Sequence, residues 1–433
     1  MIVDELGPAG GIETGLVSLA TALVGLGARI GVFSRAPVAE DNQYAVALAR
    51  LGVPVVGAPR AVAAITRLDW RARERLLRVA LAVLSPAIAL VALADAALRR
   101  RSLARAWRGA HGRLRGHLQE IVHEQLDRLS YPSLDRALAA GRLPRPSVAH
   151  VHGYRCAEVP AGGVAWARGR GLPVVYHEQG VSHPGAVRIA PARAAHVAVA
   201  ISRAVEEGLR QVCAFEGPIF RIPYIVEPRN GHAQRADIHS ALPESWNERP
   251  VVGTVARLHP QKGHSTLLDA AVRVLAAQPE ARFAFAGDGP LRAELEAQAR
   301  RLGVDRAVAF LGTVDQADIP ALVARLDVVA MPSRWEALGI AAVEAMMHAK
   351  PIVASDLEGL AELVEDGRTG LLVPPDDPDR LAAALLRLLA DPALRHDMGQ
   401  AGRRRYETLG VSSAAVAAAF LAAYGAAVEA AGV

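Results

Sequence analysis

Arg257 and Lys262 stand close together in a 433-residue chain whose only other lysine is Lys350, and Glu336 and Glu344 follow some eighty positions later. Arg257 ends an apolar run, and Lys262 lies just before a helical stretch, where anions are favoured. The two carboxylates belong to Pro332-Ser333-Arg334-Trp335-Glu336-Ala337-Leu338-Gly339-Ile340-Ala341-Ala342-Val343-Glu344-Ala345-Met346, which leaves a second apolar run and enters a helix. Glycine at 339 lets backbone approach a ligand, and the free amides of the helix start attract an anion. Glu336 before the helix and Glu344 within it suit two hydroxylated parts of one elongated ligand. A surface glutamate pair is the alternative. The neighbours of Glu344 are Ile340, Ala341, Val343, Met346 and Met347, which favours burial, and a buried carboxylate requires a donor.

The elements that must hold these residues read as alternating strands and helices. Ile2–Leu6 is a strand, residues 7–11 a glycine turn, and Leu16, Leu19, Leu23 and Leu26 recur at helical spacing before a strand at Ala28–Ser34. Further strands are expected at Val148–His152, Pro173–His177, Val197–Ile201 and Ile219–Ile222. The polar stretch 226–249 reads as a linker. The alternation then restarts with strands at Val251–Ala256, Arg282–Ala286, Ala307–Leu311, Asp327–Met331, Pro351–Ala354 and Gly370–Val373. A helix follows with Leu381, Leu385, Leu388 and Leu389 on one face. Consecutive units of this kind give right-handed, doubly wound parallel sheets. The fold class is therefore α/β with two Rossmann-like domains, 1–225 and 250–410, and a C-terminal helix at 411–433 packing back towards the first. Ligands of such folds bind at the carboxyl ends of the strands.

Composition narrows the class. The chain is 52% hydrophobic and 21% charged, as globular proteins are. Cys156 and Cys213 supply neither a disulfide framework nor a zinc motif, which fits a reducing, cytoplasmic compartment. The start lacks the basic and apolar regions of a signal peptide. The net charge is +5, yet residues 60–115 alone carry +10. This excess lies in a helical insertion at about 60–140 whose apolar run Val79–Ala94 is short for a bilayer span. Trp70 and Trp107 flank the run. Two readings stand: a helical layer resting on an anionic membrane leaflet, or one packed on the sheet with solvated arginines.

The Pro332–Met346 stretch resembles the Glu-x7-Glu motif of the retaining GT-B glycosyltransferases of the large family four. The resemblance continues through Val252–Gly263 (strand, Arg, loop, Lys-Gly), Ala286-Gly287-Asp288-Gly289-Pro290, Phe310-Leu311-Gly312, Pro351–Ser355 and Gly370–Val373, covering about 250–410. The N-terminal half is similar more loosely, through Gly10-Gly11-Ile12-Glu13 and the strand at 173–177. The resemblance implies transfer of a sugar from a nucleotide-diphosphate sugar to a sugar or lipid-linked acceptor hydroxyl with anomeric retention, in polysaccharide or glycolipid assembly. It implies that Arg257 and Lys262 hold the donor diphosphate and stabilise the leaving group. Glu344 would hold the ribose and Glu336 the transferred sugar, with backbone around Leu338, Gly339 and Ile340 at the phosphates or sugar, Leu311 near the base and Gly11 in the closing glycine loop. His177 would stand near the reacting sugar, although the family's spacing before glycine puts Gln179 of His177-Glu178-Gln179-Gly180 there instead. The family's Asn-Gly at the domain crossing is not matched at Ile222–Val226.

No metal or other cofactor is expected, since cations and helix amides stabilise the leaving group, and no nucleic-acid partner is implied. Asp376-Asp377-Pro378-Asp379 reads as a helix cap rather than a metal pair. His150 and His152 share strand spacing without clustered partner ligands and read as core or cleft lining. A pyridoxal-type GT-B phosphorylase would need a Schiff-base lysine, for which only Lys262 and Lys350 are available. A binding scaffold on the same fold would be free to lose the two cations and two glutamates, all of which are present.

Overall fold

The structure is a computed structural model, described for residues 1–3, 11–34, 38–39, 41–58, 130–153, 161–180, 192–227, 242–315 and 317–433. The basic segment 60–115, most of the insertion expected at 60–140, Gly10, Cys156 and the middle of the expected linker lie outside these residues. The chain divides into two compact units. One comprises Met1–Ala200, Glu207–Phe220 and Ala419–Val433; the other comprises Ile201–Glu206 and Arg221–Ala418.

In the first unit, strands β1 (Ile2–Val3), β2 (Val32–Ser34), β3 (Val55–Gly57), β4 (Ala149–Gly153), β5 (Val174–Glu178), β6 (Val197–Ala200) and β7 (Ile219–Arg221) form one sheet in the order β3-β2-β1-β4-β5-β6-β7. Pairings from β3 to β6 are parallel. Every residue of β4, β5 and β6 is buried, although β4 and β5 include His150, His152, His177 and Glu178. β3 has no counterpart among the strands read from the sequence. It is three half-buried residues at the sheet edge, too short for a periodic signal.

The second unit is a six-stranded sheet in the order β10-β9-β8-β11-β12-β13. Its strands are β8 (Val251–Val255), β9 (Arg282–Ala286), β10 (Val308–Gly312), β11 (Val328–Met331), β12 (Ile352–Ser355) and β13 (Gly370–Val373), all in parallel register. The strand order reverses direction between β8 and β11. With right-handed crossovers, that reversal puts helices on both faces and opens a crevice beyond the carboxyl ends of those two strands. The core on one face joins Val252, Phe283 and Phe285 to Leu267, Leu268 and Val274 of helix His264–Ala277 and to Leu381, Leu385 and Leu388 of helix Pro378–Ala390. Asp377 caps the latter helix, its carboxylate accepting from the Arg380 amide at 2.9 Å. Of the acidic cluster there, Asp377 makes the cap, while Asp376 and Asp379 accept from arginines.

Candidate functional site

Arg257 and Lys262 lie in the loop that leaves β8, and Glu336 in the loop that leaves β11, so both loops open at the switch point of the second sheet. Gly263 lets these two loops approach, and Gly287 and Gly289 hold the loop after β9 against the loop after β8. Gly263 has φ +64°, and a Cβ there would meet the Pro332 carbonyl oxygen at 1.8 Å. A Cβ on Gly287, at φ +135°, would meet the Ala256 oxygen at 2.1 Å, and one on Gly289 the Leu258 oxygen at 2.6 Å. Backbone bonds complete the seam: Leu258 donates to Asp288 and Leu291 to Leu258. The Arg334 amide donates to the Gln261 carbonyl at 2.7 Å, and the Gln261 side chain donates to the Trp335 carbonyl at 3.0 Å.

This frame brings the Lys262 ammonium onto Glu336 Oε2 in an ion pair. The carboxylate side chain is 9% exposed and the lysine 20%. Ser333 donates to the same oxygen at 3.3 Å. A buried carboxylate and a half-buried ammonium are tolerated here because each has the other, and removing one would strand its partner. Arg257, in the same loop as Lys262, is exposed, with no carboxylate at ion-pair distance among the described residues. Gly339, at φ +91°, begins helix Ile340–Met347, whose first amides have no intrahelical acceptor. The loop rests on helix Glu358–Ala361: a Cβ on Gly359 would meet the Glu336 oxygen at 2.5 Å. Leu338 is buried, while Glu344 is half-buried on the helix that Gly339 starts. Leu311 is half-buried in β10.

Sequence reasoning missed the supports of this cluster. Arg334 donates to Asp376 at 2.8 Å, and Thr266 donates to the same oxygen at 3.1 Å, tying the Glu336 loop to helix His264–Ala277. Asp376 takes φ +57°, uncommon for a non-glycine residue. His264, beside Lys262 in sequence, is buried and its pKa is pushed down to about 3, by burial first and then by the neighbouring Lys262.

Two residues expected near the ligand belong to the other unit. Gly11 starts helix Gly11–Gly25. His177 lies inside β5, 4% exposed, with Gln179 just beyond the strand and equally buried. The reading of His150 and His152 as lacking clustered partners is corrected here, because β4 and β5 pair in register and put His177 opposite His152. Burial pushes the His177 ring down to about 3, and His150 and His152 also fall well below the ordinary value, again through burial first. All three rings are neutral at physiological pH.

Residues 239–405 match the model of the family described as glycosyl transferases group 1. Alpha-D-kanosaminyltransferase of Streptomyces kanamyceticus is 33% identical over 217 residues, 50% of this chain and 56% of that protein. A GDP-mannose-dependent phosphatidylinositol monomannoside mannosyltransferase of Mycolicibacterium smegmatis is 38% identical over 163 residues, 36% of this chain and 43% of that protein. The chain spans about half the length of the curated relatives it matches. Among solved structures, HepE of Anabaena in complex with UDP and glucose aligns with a TM-score of 0.66 at 21% identity, covering 97% of this chain and 98% of that one. Sucrose-phosphate synthase of Thermosynechococcus elongatus aligns with a TM-score of 0.67 at 21% identity, covering 98% and 97%. These likenesses establish the fold as that of the GT-B glycosyltransferases, with a Rossmann-like sheet in each unit.

Two outcomes follow from this geometry. Gly263→Ala forces a β-carbon onto the Pro332 carbonyl at a left-handed position and costs about 2–4 kcal/mol of stability. Urea unfolding within about 0.5 kcal/mol of the parent protein would contradict the close packing of the two loops. The three buried imidazoles have folded pKa values below the ordinary 6.5, so the unfolded chain takes up protons that the fold refuses. Their contribution is complete above about pH 6.5 and is lost as pH falls below it, for His177 down to about 3. The thermal midpoint should drop between about pH 7.5 and 5; a constant midpoint contradicts the burial of neutral rings.

Proposed function

We propose that this protein is a retaining glycosyltransferase that moves a sugar from a nucleotide-diphosphate sugar to an acceptor hydroxyl in polysaccharide or glycolipid assembly. The observation that carries the reading is the Lys262–Glu336 pair, held at the switch point beside the amides that start helix Ile340–Met347. The names of the relatives support the reaction class, and HepE, solved with UDP and glucose, supports the donor class.

Arg257, Lys262 and the backbone at Leu338, Gly339 and Ile340 take the diphosphate, in a place where helix amides favour an anion. Glu336 releases part of its hold on Lys262 and accepts from hydroxyls of the transferred sugar. Glu344 accepts from the ribose hydroxyls, and Leu311 lies against the base. As the bond from the anomeric carbon to the diphosphate oxygen breaks, the electron pair leaves with that oxygen, and Arg257 and Lys262 stabilise the growing charge. The acceptor oxygen bonds to the same face of the anomeric carbon, and its proton passes to the departing phosphate. The reaction needs no divalent ion, because two cations and a helix start supply the positive field. A lipid-linked acceptor and peripheral contact with an anionic leaflet through 60–115 belong to the same proposal.

The test is nucleoside diphosphate release from UDP-, GDP- and ADP-sugars in chelator, comparing the parent with two variants. Lys262→Ala should lower kcat by about 10²–10³ with a smaller change in KM. Glu344→Ala should raise KM roughly tenfold or more, through loss of a charged hydrogen bond. Parent-like rates in both variants, or no release from any donor, would defeat the reading.

A further inference from the structure

The first unit holds a group of side chains that the proposed transfer does not use. His150 and His152 on β4 and His177 on β5 are each at most 5% exposed, and their rings pack face to face or tilted, with centroids 4.3 to 5.3 Å apart. Gln179, 4% exposed, reaches into the same space. The atoms that meet form a chain of nitrogens. His150 Nε2 is 3.2 Å from His177 Nδ1, which is 3.5 Å from the Gln179 amide, which in turn is 3.0 Å from His152 Nδ1.

Hydrogen bonding alone leaves this group poorly satisfied. His152 Nε2, His177 Nε2 and Gln179 Oε1 are all buried without a partner among the described residues. Of these three, the Gln179 oxygen is the atom that an ion between the rings would satisfy, at a saving of about 1–3 kcal/mol, because the histidine atoms that converge are Nδ1 of His152 and His177. The ordinary use of a buried histidine is one satisfied ring, not three stacked against one another.

The geometry points to a divalent metal site, with zinc the fitting ion, bound by His150, His152, His177 and the Gln179 side-chain oxygen. A tetrahedral zinc with bonds of about 2.0–2.1 Å sets its ligand atoms roughly 3.3 Å apart, and the three separations above bracket that value. Which end of the Gln179 amide faces the rings is a matter of a half-turn, so its oxygen can stand where its nitrogen is drawn. Imidazole coordinates metal as the neutral ring. A supporting partner is also in place. The Tyr424 hydroxyl lies 2.8 Å from His150 Nδ1, which leaves Nε2 of that ring for the ion. Phe420 covers the group, its ring 5.3 Å from both His150 and His177. Because the donors are closed off from water by side chains of β4, β5 and the end of helix Ser413–Ala431, the ion is structural and fastens that helix end to the sheet. This assignment gives His177 a role other than the one the family resemblance implies, and it stands whether or not the donor site performs sugar transfer.

The experiment is metal analysis of tag-free full-length protein expressed with zinc and dialysed against a mild chelator. About one equivalent of zinc should remain, and His152→Ala should hold less than a tenth of that. Adding zinc to stripped protein should raise the thermal midpoint by several degrees in the parent and not in the variant. If the variant fails to fold, X-ray absorption at the zinc edge of the parent decides. Three imidazole nitrogens at about 2.0 Å support the site, and fewer than three overturn it. Parent protein without zinc and with an unmoved midpoint, or zinc retained by a folded His152→Ala, overturns it equally.

Discussion

Lys262 and Glu336 are 74 residues apart in sequence and come from opposite sides of the strand reversal, yet their charges meet in a partly desolvated pair. That meeting constrains nearly everything around it. The loop after β8 must turn sharply at Gly263 to pass under Pro332, and the loop after β11 must run over Gly359 before the helix at Ile340 can begin. Neither the buried glutamate nor the half-buried lysine would be stable alone, so the loops are held to each other by charge as well as by backbone bonds. A diphosphate entering there meets a cation already in place, and its cost is the partial separation of that cation from Glu336. Arg257, exposed and without an acidic partner among the described residues, can turn to an anion without breaking an ion pair.

Most of the second unit was legible because its central strands are buried and read as short apolar runs. β9 and β13 fall at 282–286 and 370–373, as expected, and the helix around Leu381, Leu385 and Leu388 buries the face expected. Glycine was informative only with a motif around it: Gly263, Gly287 and Gly339 all take positive φ, and each marks a close approach. β3 escaped because three edge residues carry no period. Arg334, Asp376 and Thr266 escaped because one arginine among so many carries no local signal, and the contact joins residues 110 positions apart.

The histidine group shows the same limit from the other side. The spacing of His150 and His152 places both on one face of β4, which is a local property and was read. That β5 is the neighbour of β4, and that its register sets His177 opposite His152, is a property of the whole sheet. Tyr424 and Phe420 arrive from the far end of the chain. Local pattern thus supplied the donors one strand at a time, while sheet order supplied their convergence.

The account rests on diphosphate binding by the loops after β8 and β11. A crystal structure of the full chain with a nucleoside diphosphate tests this most directly. It should show phosphate oxygens at roughly 3 Å from Lys262 Nζ and from the amides at Gly339 and Ile340, with Arg257 turned towards them. A diphosphate bound elsewhere, with Lys262 and Glu336 paired as before, would contradict it.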